Sequence, residues 1–137
     1  MSARIIGSLV GNYCSRLVSD IVMTAAEVGT AGSAYYLASG KWTKSATTSP
    51  VEAVCIKGCV AGGTPIMELV KVGDIIEADY TGTPAGAFVV GLKVGVLDAN
   101  GANVDAATVT GGHLIVLAKD TVAETVQMIA QKNITCA

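Results

Sequence analysis

Charged side chains are scarce in this sequence. Asp, Glu, Lys and Arg make up 15% of the 137 residues, and the formal net charge is −2, whereas a typical soluble domain contains about 25% charged residues. The lysines and arginines are scattered, so no basic stripe is available to neutralise a run of phosphates. This composition argues against nucleic acid as a partner, and it predicts apolar surface that other protein subunits cover.

Aromatic residues and long apolar runs are also few. The chain has one Phe, one Trp and four Tyr, and no apolar stretch approaches the ~20 residues of a membrane helix. The first ten residues lack a strong apolar segment, because Gly7 and Ser8 interrupt it, and they show no clear signal-peptide cleavage site. We therefore expect a protein that is neither inserted in a membrane nor secreted.

The residue types that most catalytic and metal sites need are almost missing. His113 is the only histidine, so a catalytic triad or a histidine-rich zinc site lacks its members. Cys55 and Cys59 would lie roughly 13 Å apart on one face of a strand, too far for a disulfide. The glycine-rich residues 58–64 lack the Gly-Lys-Ser/Thr of a phosphate-binding loop. We expect buried free thiols, no metal, no cofactor and no enzymatic activity.

One pair of carboxylates keeps a catalytic hypothesis open. Glu77 and Asp79 alternate along a predicted strand, so both side chains can face the same side. Paired carboxylates carry out acid–base chemistry in glycoside hydrolases. A solvated sheet face or an interface salt bridge is the simpler interpretation of the same two residues.

A ligand- or glycan-binding module on a phage or cell surface is the alternative function. Trp42 would be its main stacking platform, with Tyr35, Tyr36 or Tyr80 beside it, since aromatic rings combine a large apolar face with a polar group. A half-buried tryptophan in a hairpin explains Trp42 equally well.

From Ile21 onward the sequence has the pattern of an all-β protein. Short runs rich in Val, Ile and Thr alternate with Gly, Pro and Asn, and Ser39-Gly40 and Asn100-Gly101 predict tight hairpin turns. The predicted strands are 33–37, 42–44, 51–60, 66–72, 75–80, 88–97, 103–106, 113–119 and 125–130. About eight or nine strands at intervals of roughly 8–12 residues predict a single β-barrel or β-sandwich domain over residues 21–137.

Two of these segments carry more specific expectations. The run 88–97 is almost wholly apolar, which predicts a central strand. A helix over 122–132 is the less favoured alternative to a last strand, because this segment contains Val, Thr and Ile.

Residues 1–20 follow a different pattern, with apolar side chains three and four positions apart. This spacing fits a short amphipathic helix or an extended arm laid on a neighbouring subunit, although Gly7 and Gly11 weaken the helix. An element packed on its own domain is the alternative. We predict an N-terminal arm over residues 1–20 whose contacts come from Arg4, Ile5, Ile6, Leu9, Val10 and Tyr13.

Three stretches resemble a known family in motif order and composition. They are Tyr36-Leu37-Ala38-Ser39-Gly40-Lys41-Trp42-Thr43-Lys44; Ile76-Glu77-Ala78-Asp79-Tyr80-Thr81-Gly82-Thr83-Pro84 running on to Phe88-Val89-Val90-Gly91; and Val96-Leu97-Asp98-Ala99-Asn100-Gly101 with Val104-Asp105, Gly111-Gly112 and the final strand. Over residues 35–130 the chain resembles the capsid-stabilising (cement or decoration) proteins of tailed bacteriophages.

The resemblance implies a compact β-barrel or β-tulip domain, commonly a homotrimer, bound on the virion surface where major capsid protein subunits meet. Such a protein would be made in the host cytoplasm. We expect contacts from the arm and from two loops, 58–65 and 81–87. The loop residues singled out are Gly62, Gly63, Thr64, Thr81, Thr83 and Pro84.

Overall fold

The computed structural model describes residues 4–8, 16–45, 49–71, 73–81, 90–91, 93–94, 103–106 and 114–130. Their regular structure consists of β-strands alone, which confirms the all-β class. No helix long and apolar enough to cross a membrane occurs in these ranges. The described strands form two sheets and do not close into a barrel.

The strands are short and are separated by tight connections. Their bounds are β1 (Arg4–Ser8), β2 (Leu17–Val18), β3 (Ala34–Ala38), β4 (Lys41–Lys44), β5 (Ala53–Lys57), β6 (Ile66–Leu69), β7 (Asp74–Thr81), β8 (Lys93–Val94), β9 (Val104–Asp105), β10 (Leu114–Asp120) and β11 (Thr125–Ala130). β11 confirms a final strand where a helix over 122–132 was the alternative.

Two sheets contain these strands. The first has the order β1-β7-β11-β10-β8, and β9 adds a short parallel pairing on β7. The second has the order β2-β6-β5-β3-β4. The chain passes from the second sheet to the first between β6 and β7, and the described residues Val70, Lys71 and Gly73 lie in this crossover.

The main core lies where the two sheets face each other. In β7 buried residues alternate with partly exposed ones, so every second side chain points inward. Both sheets contribute to this cluster, which joins them into one folded unit. Its buried members are Ala34, Val51, Val54, Val70, Ile76, Ala78, Tyr80, Val104, Ala106, Leu114, Val116, Val126, Met128 and Ala130.

A second core covers the opposite face of the second sheet. Met23, in the segment before β3, forms a parallel bridge with Trp42 of β4 and extends this core beyond the sheet. The second sheet is therefore buried on both faces. The buried members of the second core are Met23, Tyr35, Trp42, Ala53, Cys55 and Met67, and Val18, Ile21, Leu37, Cys59 and Leu69 pack against them.

The β3–β4 hairpin has the predicted two-residue turn. Ala38 pairs with Lys41, and the two residues between them, Ser39 and Gly40, have φ values of 51° and 76°. Positive φ at both positions matches the right-handed twist of the flanking strands. The other predicted hairpin turn, Asn100-Gly101, lies outside the described residues.

The prediction of a central strand over 88–97 is wrong for the part that the structure describes. Residues 90–91 are in a turn, Val90 is 61% exposed, and β8 pairs only with β10, at the end of the first sheet. An apolar run indicates burial somewhere, but it does not determine which strands lie on each side. The central strands of this sheet are β7, β11 and β10.

The N-terminal segment is a strand where it is described, so of the two forms left open for the arm, extended or helical, the helix is wrong over residues 4–8. β1 pairs antiparallel with β7, and its register shifts between Ile5 and Gly7. Ile5 packs against the main core. The alternative of an element packed on its own domain therefore holds for β1. The domain boundary at residue 20 stays a prediction, since residues 9–15 lie outside the described ranges.

Candidate interaction surfaces

Only part of the predicted arm contact set is exposed. Arg4 and Ile6 are exposed on β1, whereas Ile5 is partly buried against the main core. The remaining three residues of the set, Leu9, Val10 and Tyr13, lie outside the described residues. The structure thus places the described part of the arm along the edge of the first sheet.

Arg4 belongs to a polar cluster on the outer face of this sheet, together with Glu77 and Gln127. Its Nη2 lies 2.5 Å from Oε1 of Glu77, and the amide of Gln127 donates to Oε2 of Glu77 at 3.3 Å. The hydrogen bond from Arg4, helped by that from Gln127, lowers the pKa of Glu77 below its usual 4.5. Glu77 is therefore ionised at neutral pH and holds β1, β7 and β11 together on this face.

The cluster borders a shallow groove of about 220 Å³ on the same face. Asp120 at its end accepts hydrogen bonds from the amides of Val122 and Ala123 and so fixes the β10–β11 turn. The lining residues are Glu77, Ala118, Lys119, Asp120, Thr125 and Gln127.

Glu77 does not fit the role of a general acid in this groove. A general acid requires a carboxyl whose pKa is raised towards neutrality, whereas the pKa of Glu77 is lowered by Arg4. Glu77 and Asp79 do share the outer face, as their spacing predicts, because they alternate with buried Ile76, Ala78 and Tyr80. The interpretation of Glu77 as a salt-bridge residue fits this geometry.

A second surface is formed by residues 27–30 and 58–64, which we call the loop-pair surface. Gly29 and Cys59 form an antiparallel bridge, with N–H···O distances of 3.1 and 3.0 Å between their backbones. The residues beside this bridge are Val28 and Val60, which an antiparallel register places opposite each other. The two valines are 47% and 78% exposed, so both present aliphatic surface to solvent.

Hydrogen bonds from the core hold this surface in place. The hydroxyl of buried Tyr35 accepts from the Thr30 amide at 2.8 Å and donates to the Val28 carbonyl at 3.1 Å. Gly62 donates to the Glu27 carbonyl, and Met23 donates to the Gly63 carbonyl. The valines therefore sit on a frame that is already fixed before any partner binds.

Close backbone approach or a positive φ explains why glycine occupies three positions in residues 58–64. A Cβ at Gly58 would lie 2.4 Å from the Gly29 carbonyl oxygen, and one at Gly63 would lie 3.0 Å from the Val60 carbonyl oxygen. Gly62 has a φ of 68°, which other residues rarely adopt. The glycine-rich sequence 58–64 thus lets two loops pair, which its expected role as a strand connection did not reveal.

The predicted loop contacts fall on two regions. Gly62 and Thr64 are exposed on the loop-pair surface, and Gly63 is partly buried in it. Thr81 is exposed at the end of β7, where its carbonyl accepts from the Ala106 amide at 2.9 Å. Thr83 and Pro84 lie outside the described residues.

The two described cysteines are free thiols, as expected. Cys55 is buried, and burial, with a smaller effect of Cys59, raises its pKa to about 11. Cys59 is partly exposed and does not continue β5, which ends at Lys57 after a register shift. The uniform strand assumed for the 13 Å estimate is therefore absent, yet both thiols contribute to the second core.

Three of the four residues proposed as sugar platforms are buried. Trp42 and Tyr35 are fully enclosed in the second core, and Tyr80 belongs to the main core. Tyr36, on β3, is partly exposed. Neither interpretation of Trp42, an accessible stacking platform or a half-buried tryptophan in a hairpin, fits its 0% exposure. The segment around Met23 pairs alongside β4, and Met23 packs with Trp42 in the second core. Sequence periodicity does not show which loop will cover a sheet face.

Comparison with protein-family models, curated proteins and solved structures finds no match to this chain.

Proposed function

We propose that the protein is a non-catalytic structural subunit that binds the outside of a tailed-phage capsid and stabilises contacts between major capsid protein subunits. The observation that carries this proposal is the loop-pair surface, on which Val28 and Val60 are exposed together on a hydrogen-bonded frame. A fixed apolar surface loses little conformational entropy when it docks, so it suits permanent attachment to another protein.

Composition and resemblance support the same assignment. Only 15% of the residues are charged, and interface centres are depleted in charge. The motif order over residues 35–130 resembles capsid cement proteins. We extend the proposal to a barrel-like or β-tulip arrangement of the two sheets and to a homotrimer, in which several weak contacts on one shell reinforce one another.

Capsid binding by a loop-pair variant tests the proposal. The double variant Val28→Asp/Val60→Asp is added to shells of the phage that carries the protein, prepared without it. We expect the concentration for half occupancy to rise at least about tenfold, because docking would desolvate two unpaired carboxylates. Occupancy is measured by sedimentation with the shells and by imaging.

A matched control uses a valine elsewhere on the surface. Val122, which is 94% exposed in the β10–β11 turn, is replaced by Asp, and shell binding should be unchanged. Far-UV circular dichroism confirms that all variants fold. Equal occupancy of the double variant and the wild type would show that the loop-pair surface is not the docking site. Failure of the wild type to bind shells at all would refute the function itself.

A further inference from the structure

A buried carboxylate forms hydrogen bonds within the crossover between the two sheets. Oδ2 of Asp74 accepts the Lys71 amide at 2.8 Å, and the Asp74 amide donates to the Lys71 carbonyl at 3.0 Å. Gly73, with a φ of 89°, donates to the Ala130 carbonyl of β11. Asp74 therefore fixes the turn that carries the chain from β6 to β7.

The other oxygen of this carboxylate is buried without a partner. Asp74 has 0% exposure, and its Oδ1 has no hydrogen-bond partner among the described residues. Its side chain lies on the same face of β7 as Ile76 and Ala78, which point into the main core. An ionised carboxylate at this position would place charge in the gap between the two sheets, which the apolar side chains of the main core fill, and this is costly.

A second buried acid faces the same gap from the other sheet. Glu68 of β6 is 8% exposed, and it alternates with Met67 and Leu69, which pack on the second core. Burial raises the pKa of Asp74 above 3.8 and the charge of Glu68 raises it further, whereas the amide and the ammonium group of Lys71 act in the opposite direction.

Buried Glu52 also lies near the crossover, where its carbonyl accepts the Val70 amide at 2.9 Å, but its side-chain Oε2 accepts the Leu37 amide at 2.7 Å. On β1, Arg4 lies on the outer face with Glu77. On β11, the residues nearest the crossover are Ile129 and Ala130. Within the described part of the chain, Glu68 and Lys71 are therefore the ionisable groups that act on Asp74.

We propose that Asp74 is a buried proton-binding site that makes the joint between the two sheets pH-responsive. When it is protonated, Asp74 is neutral and still accepts the hydrogen bond from the Lys71 amide. Its Oδ1 then carries no charge into the core. Loss of the proton charges the gap beside Glu68 and loosens the crossover. This inference goes beyond the proposed function and does not rest on it.

Substitution of Asp74 by Asn tests this inference, because Asn imitates the protonated acid but does not ionise. A raised folded-state pKa means that the contribution to stability is fully present below the ordinary carboxyl pKa and is lost as pH rises through the folded value. Between pH 4 and 8 the wild type should therefore lose stability relative to Asp74→Asn. Each unit of raised pKa corresponds to a tenfold loss in the folding constant.

A control variant and an NMR titration show whether the pH dependence comes from Asp74 itself. The matched control Asp79→Asn, on the outer face of the same strand, should not flatten the pH profile as Asp74→Asn does. NMR titration of the Asp74 carboxyl carbon in the wild type should show a midpoint above 3.8, and Glu68→Gln should lower that midpoint. An ordinary or lowered midpoint, or parallel pH profiles for the wild type and Asp74→Asn, would overturn the proposal.

Discussion

Arg4 and Glu77 are 73 positions apart in the chain, and their contact determines what Glu77 can do. With Arg4 and Gln127 beside it, the carboxylate of Glu77 is favoured in its charged form, which suits a link between strands and not proton donation. The sequence showed that Glu77 and Asp79 share a face, because alternation is local. The sequence did not reveal that Arg4 lies beside Glu77, because the spacing of residues within one segment does not determine which distant strand pairs with it.

The ion pair makes a testable contribution to stability. A lowered pKa means that the stabilisation by Glu77 is fully present above pH 4.5 and is lost as pH falls through the folded-state value. Because Arg4 is largely exposed, we expect a coupling of about 0.2–1 kcal/mol at pH 7. A double-mutant cycle with Arg4→Ala and Glu77→Gln, measured by urea unfolding at pH 7 and pH 3, checks this. A coupling that does not decrease at pH 3 would contradict it.

At the scale of elements, local turns were predictable and strand neighbours were not. The β3–β4 hairpin follows from Ser39-Gly40 and its flanking residues. The position of residues 90–91 and 93–94 depended instead on which distant strands pair, so the apolar run 88–97 alone placed them wrongly at the centre. Likewise, the burial of Trp42 depends on the segment around Met23 pairing alongside β4, and the pairing of loops 27–30 and 58–64 depends on glycines in both.

Two glycine-to-alanine substitutions should distinguish the destabilisation caused by a close backbone contact from that caused by backbone conformation. Gly58→Ala places a Cβ against the Gly29 carbonyl, so it should destabilise the protein by about 1–3 kcal/mol and loosen the loop-pair surface. Gly40→Ala meets no atom within 4 Å, and its φ of 76° costs only roughly 1–2 kcal/mol. Thermal unfolding gives both values, and proteolysis should increase in loops 27–30 and 58–64 only for Gly58→Ala. Equal proteolysis of the two variants would argue against the role of Gly58.

The whole molecule contains two cores that share the second sheet. Residues of this sheet alternate between them, so that Val54 faces the main core while Ala53 and Cys55 face the second one. A sheet buried on both faces couples the two cores, because neither can open without exposing a strand that the other also needs. We therefore expect one cooperative unfolding transition.

Substitutions in each core test this coupling. Met128→Ala in the main core and Met67→Ala in the second core should each cost about 2–5 kcal/mol. Fluorescence of Trp42, the only tryptophan, reports the second core, and far-UV circular dichroism reports all strands. The two signals should change at the same urea concentration in both variants. Separate midpoints in either variant would show that the cores unfold independently.

The bulge in β1 has a consequence for how this protein behaves at high concentration. A protein with so few charged residues gains little protection against association from charge repulsion, so its strand edges matter more. β1 is interrupted at Ile6, β2 and the described β8 have two residues each, and β4 is covered by Met23. None of these end strands offers a long, flat template to a second sheet. The described strand edges therefore give little opportunity for uncontrolled edge-to-edge association.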